Sequence, residues 1–545
     1  MKFFSSAIVG SVFALTMAHA ADVTYSVIAF PESGETVVVN VDNTAHPLQQ
    51  SSLSQNLFSG VAPYGSQYNY AYSASSGQRP ESTVRHLASE SVVATGNEFF
   101  NRSKTVYDVP DFPRAYNAVY PSYESAMSRS NEIATILLNA DLNSLEEILE
   151  APTEDHKYAQ VYNMTYISSD AVFNFQGAGI RNSGQSSKDY AKQSYKIKLN
   201  KYNKGAGAKL FNRKSLKLRA EPVDPTMVRE KLYMDSLAAS GAATLNGHWV
   251  RLFVNNEPFG LYLMIDDAND KLFENLVHGG AKTNATGPIY KGNAMSPSRE
   301  ANLVYKGPNN SSYDFSDVYI LEEAGRDKAV TKKSYTEPII TFMELLNHTV
   351  IGTDAQTPGN ISDLMDSTDH TMLHTALSFL TGSWDGYWYQ ASNYYLHQNR
   401  ENFKWYLVSY DFDETFGNNL EKPELMTVTY QNYTRAGSSR PLVDAFIKSP
   451  YYQPHFEEML KTITKSFFNP QTIKARLDAW HEMLKEDVAW DYSLERRSPG
   501  EKPKFTVEKF SKNLYSTVDG TVGILEWVSN RTSSLQSQLN FSLTS

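Results

Sequence analysis

The chain has 545 residues with 50 Lys and Arg against 60 Asp and Glu, a formal net charge of −10 and a pI near 5.7. That balance, with no dense basic block, argues against a nucleic-acid backbone or an anionic membrane surface as partner. There is no cysteine, so disulfides and thiol chemistry are excluded and the fold must rest on burial, in two or three packed units at this length.

Residues 1–20, MKFFSSAIVGSVFALTMAHA, place a lysine before an apolar run and end in Ala18-His19-Ala20, the pattern of a signal peptide cleaved after Ala20. The run falls short of the roughly 20 apolar residues that span a bilayer, and the C-terminus SLQSQLNFSLTS lacks the hydrophobic tail of a lipid-anchor signal. Asn101, Asn163, Asn284, Asn309, Asn310, Asn347, Asn360, Asn432, Asn530 and Asn540 each open an N-x-Ser/Thr sequon. A secreted or wall-associated, N-glycosylated protein without a membrane span is expected.

Residues 21–105 alternate in the manner of strands (VTYSVIAF, TVVVNV) and predict a small β-sandwich. Residues 106–157 open with three prolines and predict a wrapping linker, with a helix at 143–150. From Tyr158 to about 270 the pattern is strand-rich, interrupted by a helix from Asp224-Pro225 to Gly241. The polar stretch 275–335 reads as an insertion, and helices with one hairpin fill the rest to 545.

In FNFQGAGIRNSGQSSKDYAKQSYKIKL, Gly177 and Gly179 would form a turn between two strands, letting backbone N–H groups approach phosphates; a plain hairpin turn is the alternative. Lys192, Ser194, Lys196 and Lys198 would share one strand face. Two readings of Lys196 and Lys198 stay open, a lysine-guarded sheet edge and phosphate binding. Lys192 is the better phosphate candidate, with Glu230 of the following helix to orient it and Arg229 as a phosphate clamp.

Strands NYYLH (393–397) and KWYLVSY (404–410) should pair as a hairpin centred near Asn402, which sets Asn393 opposite Asp411. Asp385 of SWDGYW enters the same mouth. Carboxylates gathered there would repel unless a cation lay between them, and oxygen donors without His or Cys favour Mg²⁺ or Mn²⁺. Alternatively, each residue simply caps a turn or opens a strand. No G-x-S-x-G elbow or HExxH helix supports a hydrolase.

Taken in order, AKQSYKIKL, SLKLRAEPVDPTMVREKLYMDSL, WVRLFVNNEPFGLYLMIDD, SWDGYW and DFDETFG resemble the CotH family of atypical, kinase-like proteins. The resemblance runs from Tyr158 to Gly417. It implies an α+β, two-lobed kinase-like fold, with a strand-rich N-lobe and a helical C-lobe, that uses ATP and a divalent metal to phosphorylate protein serines. By position, Asp385 would be the catalytic aspartate, Asn393 and Asp411 metal ligands, and Asp413 a further acidic member. Two departures stand out. The glycine segment is poorer in Ser and Arg than in bacterial members, and YQASNYYLHQNRENFK replaces a Gly- and Asp-bearing stretch of the fungal invasion proteins. A competing reading is an adhesion protein that uses the fold as a scaffold for host or cell-wall surface ligands.

Overall fold

The computed structural model describes residues 22–543 apart from residues 206, 327, 329, 332, 333 and 421; the signal-peptide expectation falls outside them. The chain is α+β. Its first eight strands are Asp22–Ile28 (β1), Thr36–Val41 (β2), Thr44–Pro47 (β3), Gln49–Ser51 (β4), Ser54–Pro63 (β5), Tyr68–Ala74 (β6), Gly77–Pro80 (β7) and Ala94–Phe99 (β8). They form two sheets, β4-β5-β1-β8 and β3-β2-β6-β7, around one core that includes Val23, Tyr25, Val39, Phe58 and Tyr70. Alternation in β1 and β2 supplies the inward face.

The next seven strands close into a barrel in the order β10-β11-β12-β13-β15-β14-β9. They are Ala134–Ala140 (β9), Ala159–Ile167 (β10), Val172–Ser183 (β11), Ser194–Lys198 (β12), Ser215–Arg219 (β13), Gly247–Val254 (β14) and Glu257–Asp266 (β15). Leu138, Val161, Ile197, Leu218, Leu252 and Met264 fill its interior. The helix expected at 143–150 is present as Leu142–Glu150 (α1), but β9 also lies in the segment expected to be a linker. A wrapping chain therefore describes only its proline-rich first part. Gly177 and Gly179 lie within β11, not in a turn; the connection to β12 is residues 184–193. Gly177 has φ +72, and a Cβ there would come within 2.7 Å of the Asn203 Cβ. These glycines admit the chain at residues 201–203. β12 pairs on one side with β11 and on the other with β13, so its lysines guard no edge.

Helix α2 (Arg229–Ser240) begins later than Asp224, whose carboxylate instead accepts the N–H groups of Val228 and Arg229 at 3.1 and 3.0 Å. It ends at Gly241, φ +95. Helix α3 (Asp270–Val277) follows. The stretch expected to be an insertion supplies β16 (Thr286–Gly292), the ribbon β17 (Ala294–Ser296) and β18 (Arg299–Glu300), and β19 (Tyr319–Glu323). With the hairpin β20 (Tyr394–Asn399) and β21 (Trp405–Ser409) these make a second sheet, β19-β16-β20-β21. Polar composition concealed it because the strands are short and separated by long polar turns.

Around this sheet pack α4 (Glu337–Asn347), α5 (Ile361–Leu364), α6 (Thr368–Thr381), α7 (Tyr387–Gln390), α8 (Pro441–Ile447), α9 (Tyr452–Ser466), α10 (Pro470–Ser493), α11 (Val507–Asn513) and α12 (Ile524–Leu539). One apolar core runs from α2 and the outer face of β14 and β15 through the second sheet to α12. Because β14 and β15 are covered on both faces, WVRLFV and LYLMI are nearly continuous apolar runs. A seam joins sandwich, barrel and α10. Asp487 accepts from Arg102 at 3.0 Å and from Arg251 at 2.6 and 2.7 Å, while Phe253 stacks between Phe30 and Trp490.

Candidate functional site

Asp385 leaves α6 through Gly382, φ +63, where a Cβ would meet the Trp527 ring at 2.1 Å. The flanking tryptophans pin the loop. Trp384 donates to the Asn418 carbonyl (2.9 Å) and Trp388 to Thr434 (3.0 Å). Asn393 Nδ2 then donates to the Asp385 carboxylate at 2.6 Å and to its carbonyl at 3.1 Å. The hairpin register differs by one residue from expectation: Tyr394 pairs with Ser409, and the Tyr410 N–H donates to the Asn393 carbonyl at 3.1 Å. Asn393 therefore faces Tyr410 rather than Asp411. Both Asn393 (φ +54) and Asp411 (φ +63) adopt the left-handed conformation, which turns each out of its strand at the mouth.

In DFDETFG, Phe412 is buried against Tyr233 of α2, with ring centroids 4.1 Å apart. Its neighbours Asp411 and Asp413 both meet Arg219 at the end of β13, Asp413 at 3.2 Å. Arg219 Nε also donates to Glu230 at 2.8 Å and lies 3.6 Å from Glu221. The site is thus Asp385, Asn393, Asp411 and Asp413 beside one guanidinium. Among the described residues, no group of three His, Asp or Glu is arranged to hold a metal unaided.

The charges are unevenly balanced. Burial, then Glu414 and Asp411, hold the Asp385 carboxyl well above the usual range. Burial and Asp411 do the same to Asp413, and burial pushes Glu414 up to about 7. Burial would raise Asp411 too, but Arg219, Lys291 and Lys217 outweigh it and hold its pKa low. Lys217 comes from barrel strand β13 and Lys291 from β16 of the second sheet, so the two sheets converge at Asp411. Burial and Lys217 lower the Lys291 pKa. Neither lysine forms an ion pair among the described residues.

Four sequence candidates for nucleotide contact are engaged elsewhere. Lys192 lies just before β12, buried, 3.0 Å from Asp491 and donating to the Leu261 carbonyl at 2.6 Å; burial lowers its pKa to about 8. Glu230 serves Arg219, not Lys192. Arg229 is fully buried, paired with Asp224 and donating to Asn513 and the Val522 carbonyl at 2.8 Å, which leaves no fork for a phosphate. Lys196 pairs with Asp267 at 2.8 Å. Lys217, Arg219 and Lys291 were missed. In SLKLRA the period of two puts Lys217 and Arg219 on one face, opposite Leu216 and Leu218 in the barrel core, a signal that was available. Lys291 was hidden by the reading of its segment as an insertion.

A family model described as CotH kinase protein matches residues 180–535. The chain belongs to the CotH family. Among relatives of this CotH chain, Invasin CotH3 of Rhizopus delemar is 28% identical over 99% of this chain and 88% of its own. Spore coat protein homolog 1 of the same organism is 29% identical over 97% and 84%. Inner spore coat protein H of Bacillus subtilis is 18% identical over 64% of this CotH chain and 85% of its own. The match to the family begins within β11 and takes in every residue of the acidic site.

Proposed function

We propose that this CotH chain is an ATP-dependent atypical protein kinase acting on serine hydroxyls, with the barrel and the helical body as its two lobes. The observation that carries the reading is Asp411 flanked by two unpaired lysines from different sheets, next to an aspartate held by Asn393. Two lysines that share the field of Asp411 without forming an ion pair among the described residues fit a polyphosphate, whose oxygens would take their hydrogen bonds. Asp411 and Asn393 would hold a Mg²⁺ or Mn²⁺ ion. Because Asn393 Nδ2 is spent on Asp385, its Oδ1 is left as the donor atom, and one or two protein oxygens suit Mg²⁺ that arrives with phosphates. The ion would neutralise phosphate charge when bound.

Asp385 would accept the proton of the serine hydroxyl as its Oγ forms a bond to the γ-phosphorus and the bond to the β-phosphate bridging oxygen breaks. The Asn393 amide holds one Asp385 carboxylate oxygen in place at 2.6 Å, which orients the group for that transfer. Arg219 positions Asp411 and Asp413. Purified protein, labelled ATP, Mg²⁺ or Mn²⁺ and serine-bearing proteins test the reading. Asp385→Asn should lower transfer about 10²–10⁴-fold with nucleotide binding retained, whereas Asp411→Asn and Lys291→Met should weaken nucleotide binding. Equal labelling by the wild type and all three variants would overturn it.

The invasin relatives favour a second reading, in which the same surface recognises a host or wall ligand. Cell binding that survives Asp385→Asn, with no nucleotide bound by the wild type, would select it.

A further inference from the structure

A cleft of about 570 Å³ lies where the sandwich meets the barrel, at the C-terminal end of β14. Its volume is within the roughly 300–1,000 Å³ of ligand sites. Its walls are the β4–β5 turn at Ser52 and Leu53 with the start of β5 to Asn56, residues 137–140 of β9, Asn163 and Thr165 of β10, and the β14–β15 turn at Asn255 and Asn256. None of the fifteen lining residues is charged, in a chain that is 20% charged. Phosphates and metals are therefore poor occupants, and amides and hydroxyls suit the hydroxyls of a neutral sugar. Leu53 and Leu142, 37% and 57% exposed, offer apolar contact at the rim. The shape is fixed in advance. Asn255 bonds both the N–H and the carbonyl of Ala140 at 2.8 and 3.1 Å, and Asn174 donates to the Leu53 carbonyl at 2.6 Å across the gap.

A second observation names the sugar. Asn163 and Thr165, both in the wall, are the first and third residues of a sequon, and Asn163 Nδ2 lies 3.3 Å from Thr165 Oγ1. The other nine sequon asparagines are exposed, and Asn163 alone is half-buried. Conversely, the buried asparagines among the described residues, Asn393 and Asn513 included, all fall outside sequons.

We propose that Asn163 carries an N-linked glycan whose proximal sugars occupy this cleft and tie the sandwich to the barrel. In the secretory pathway a lipid-linked oligosaccharide diphosphate would supply the glycan. The Asn163 Nδ2–C1 bond forms, the C1–O bond to the diphosphate breaks, and one Nδ2 proton leaves, so the remaining N–H can still donate. The reading does not depend on phosphoryl transfer.

The test is glycopeptide mass spectrometry on the full chain from a eukaryotic secretory host, digested with an endoglycosidase before and after denaturation. The Asn163 glycan should be present and trimmed at least tenfold more slowly than those on Asn309, Asn347 and Asn432 in the native protein, with equal rates after unfolding. An empty Asn163, even if the cleft then binds free oligosaccharide, overturns the proposal. So does trimming as fast as at the exposed sites.

Discussion

Arg219 holds together carboxylates that would otherwise repel. It touches Asp411, Asp413 and Glu230, and its side chain is only 15% exposed. Arg219→Met should destabilise the protein by about 3 kcal/mol, the lower end for a buried pair stripped of one partner because some solvent reaches it. Arg219→Lys should recover only part of this, since a point charge cannot serve three carboxylates as a fork does; equilibrium denaturation checks both. The acids of this site were legible in the sequence because SWDGYW and DFDETFG hold them in short, aromatic-flanked runs. The cations were not, because Lys217, Arg219 and Lys291 reach the site only once two separate sheets converge. Lys192 and Arg229 misled for the opposite reason: basic residues in plausible motifs were already matched to Asp491 and Asp224, far away or nearby in sequence.

Among elements, β11 shows how a glycine pair can mislead. Gly177 holds φ +72 against the chain at Asn203, so Gly177→Ala should cost stability, about 1 kcal/mol or more. Calorimetric nucleotide titration of the folded variant should give an unchanged affinity, whereas a glycine that contacted phosphate would lose it. Strand periodicity revealed β10 to β15 but not β9, which falls in the expected linker, and closure into a barrel depends on its pairing with β14 in parallel, which no local pattern encodes. The hairpin was legible to within one residue. The remaining step was set by a turn whose centre lies between Glu401 and Asn402, and by left-handed residues at its mouth.

For the molecule as a whole, four buried histidines contribute a penalty at acid pH. Burial lowers His248 and His397 to about 3, His370 to about 4 and His374 well below its ordinary value. Unfolded histidines bind a proton near pH 6.5, while these stay neutral in the fold. Their contribution is therefore complete above pH 6.5 and is lost as the pH falls toward 4, each adding a slope of up to about 1.4 kcal/mol per pH unit. The raised carboxyls Asp385, Asp413 and Glu414 act in the opposite sense, so the histidine share is read by difference. Urea denaturation at pH 7, 6 and 5 should show a less acid-sensitive stability for His397→Gln than for the wild type, and identical pH dependence would contradict it.

The seam at Asp487 adds a matter of timing. Asp487 meets Arg102 across 385 residues of chain, and synthesis at about 5–20 residues per second puts roughly 20–80 s between the two. The sandwich can be finished while its counter-charge does not yet exist, with Arg102 and Arg251 awaiting a shared partner. The first unit made is thus locked to the rest only once α10 has been made, well after the barrel strands are complete.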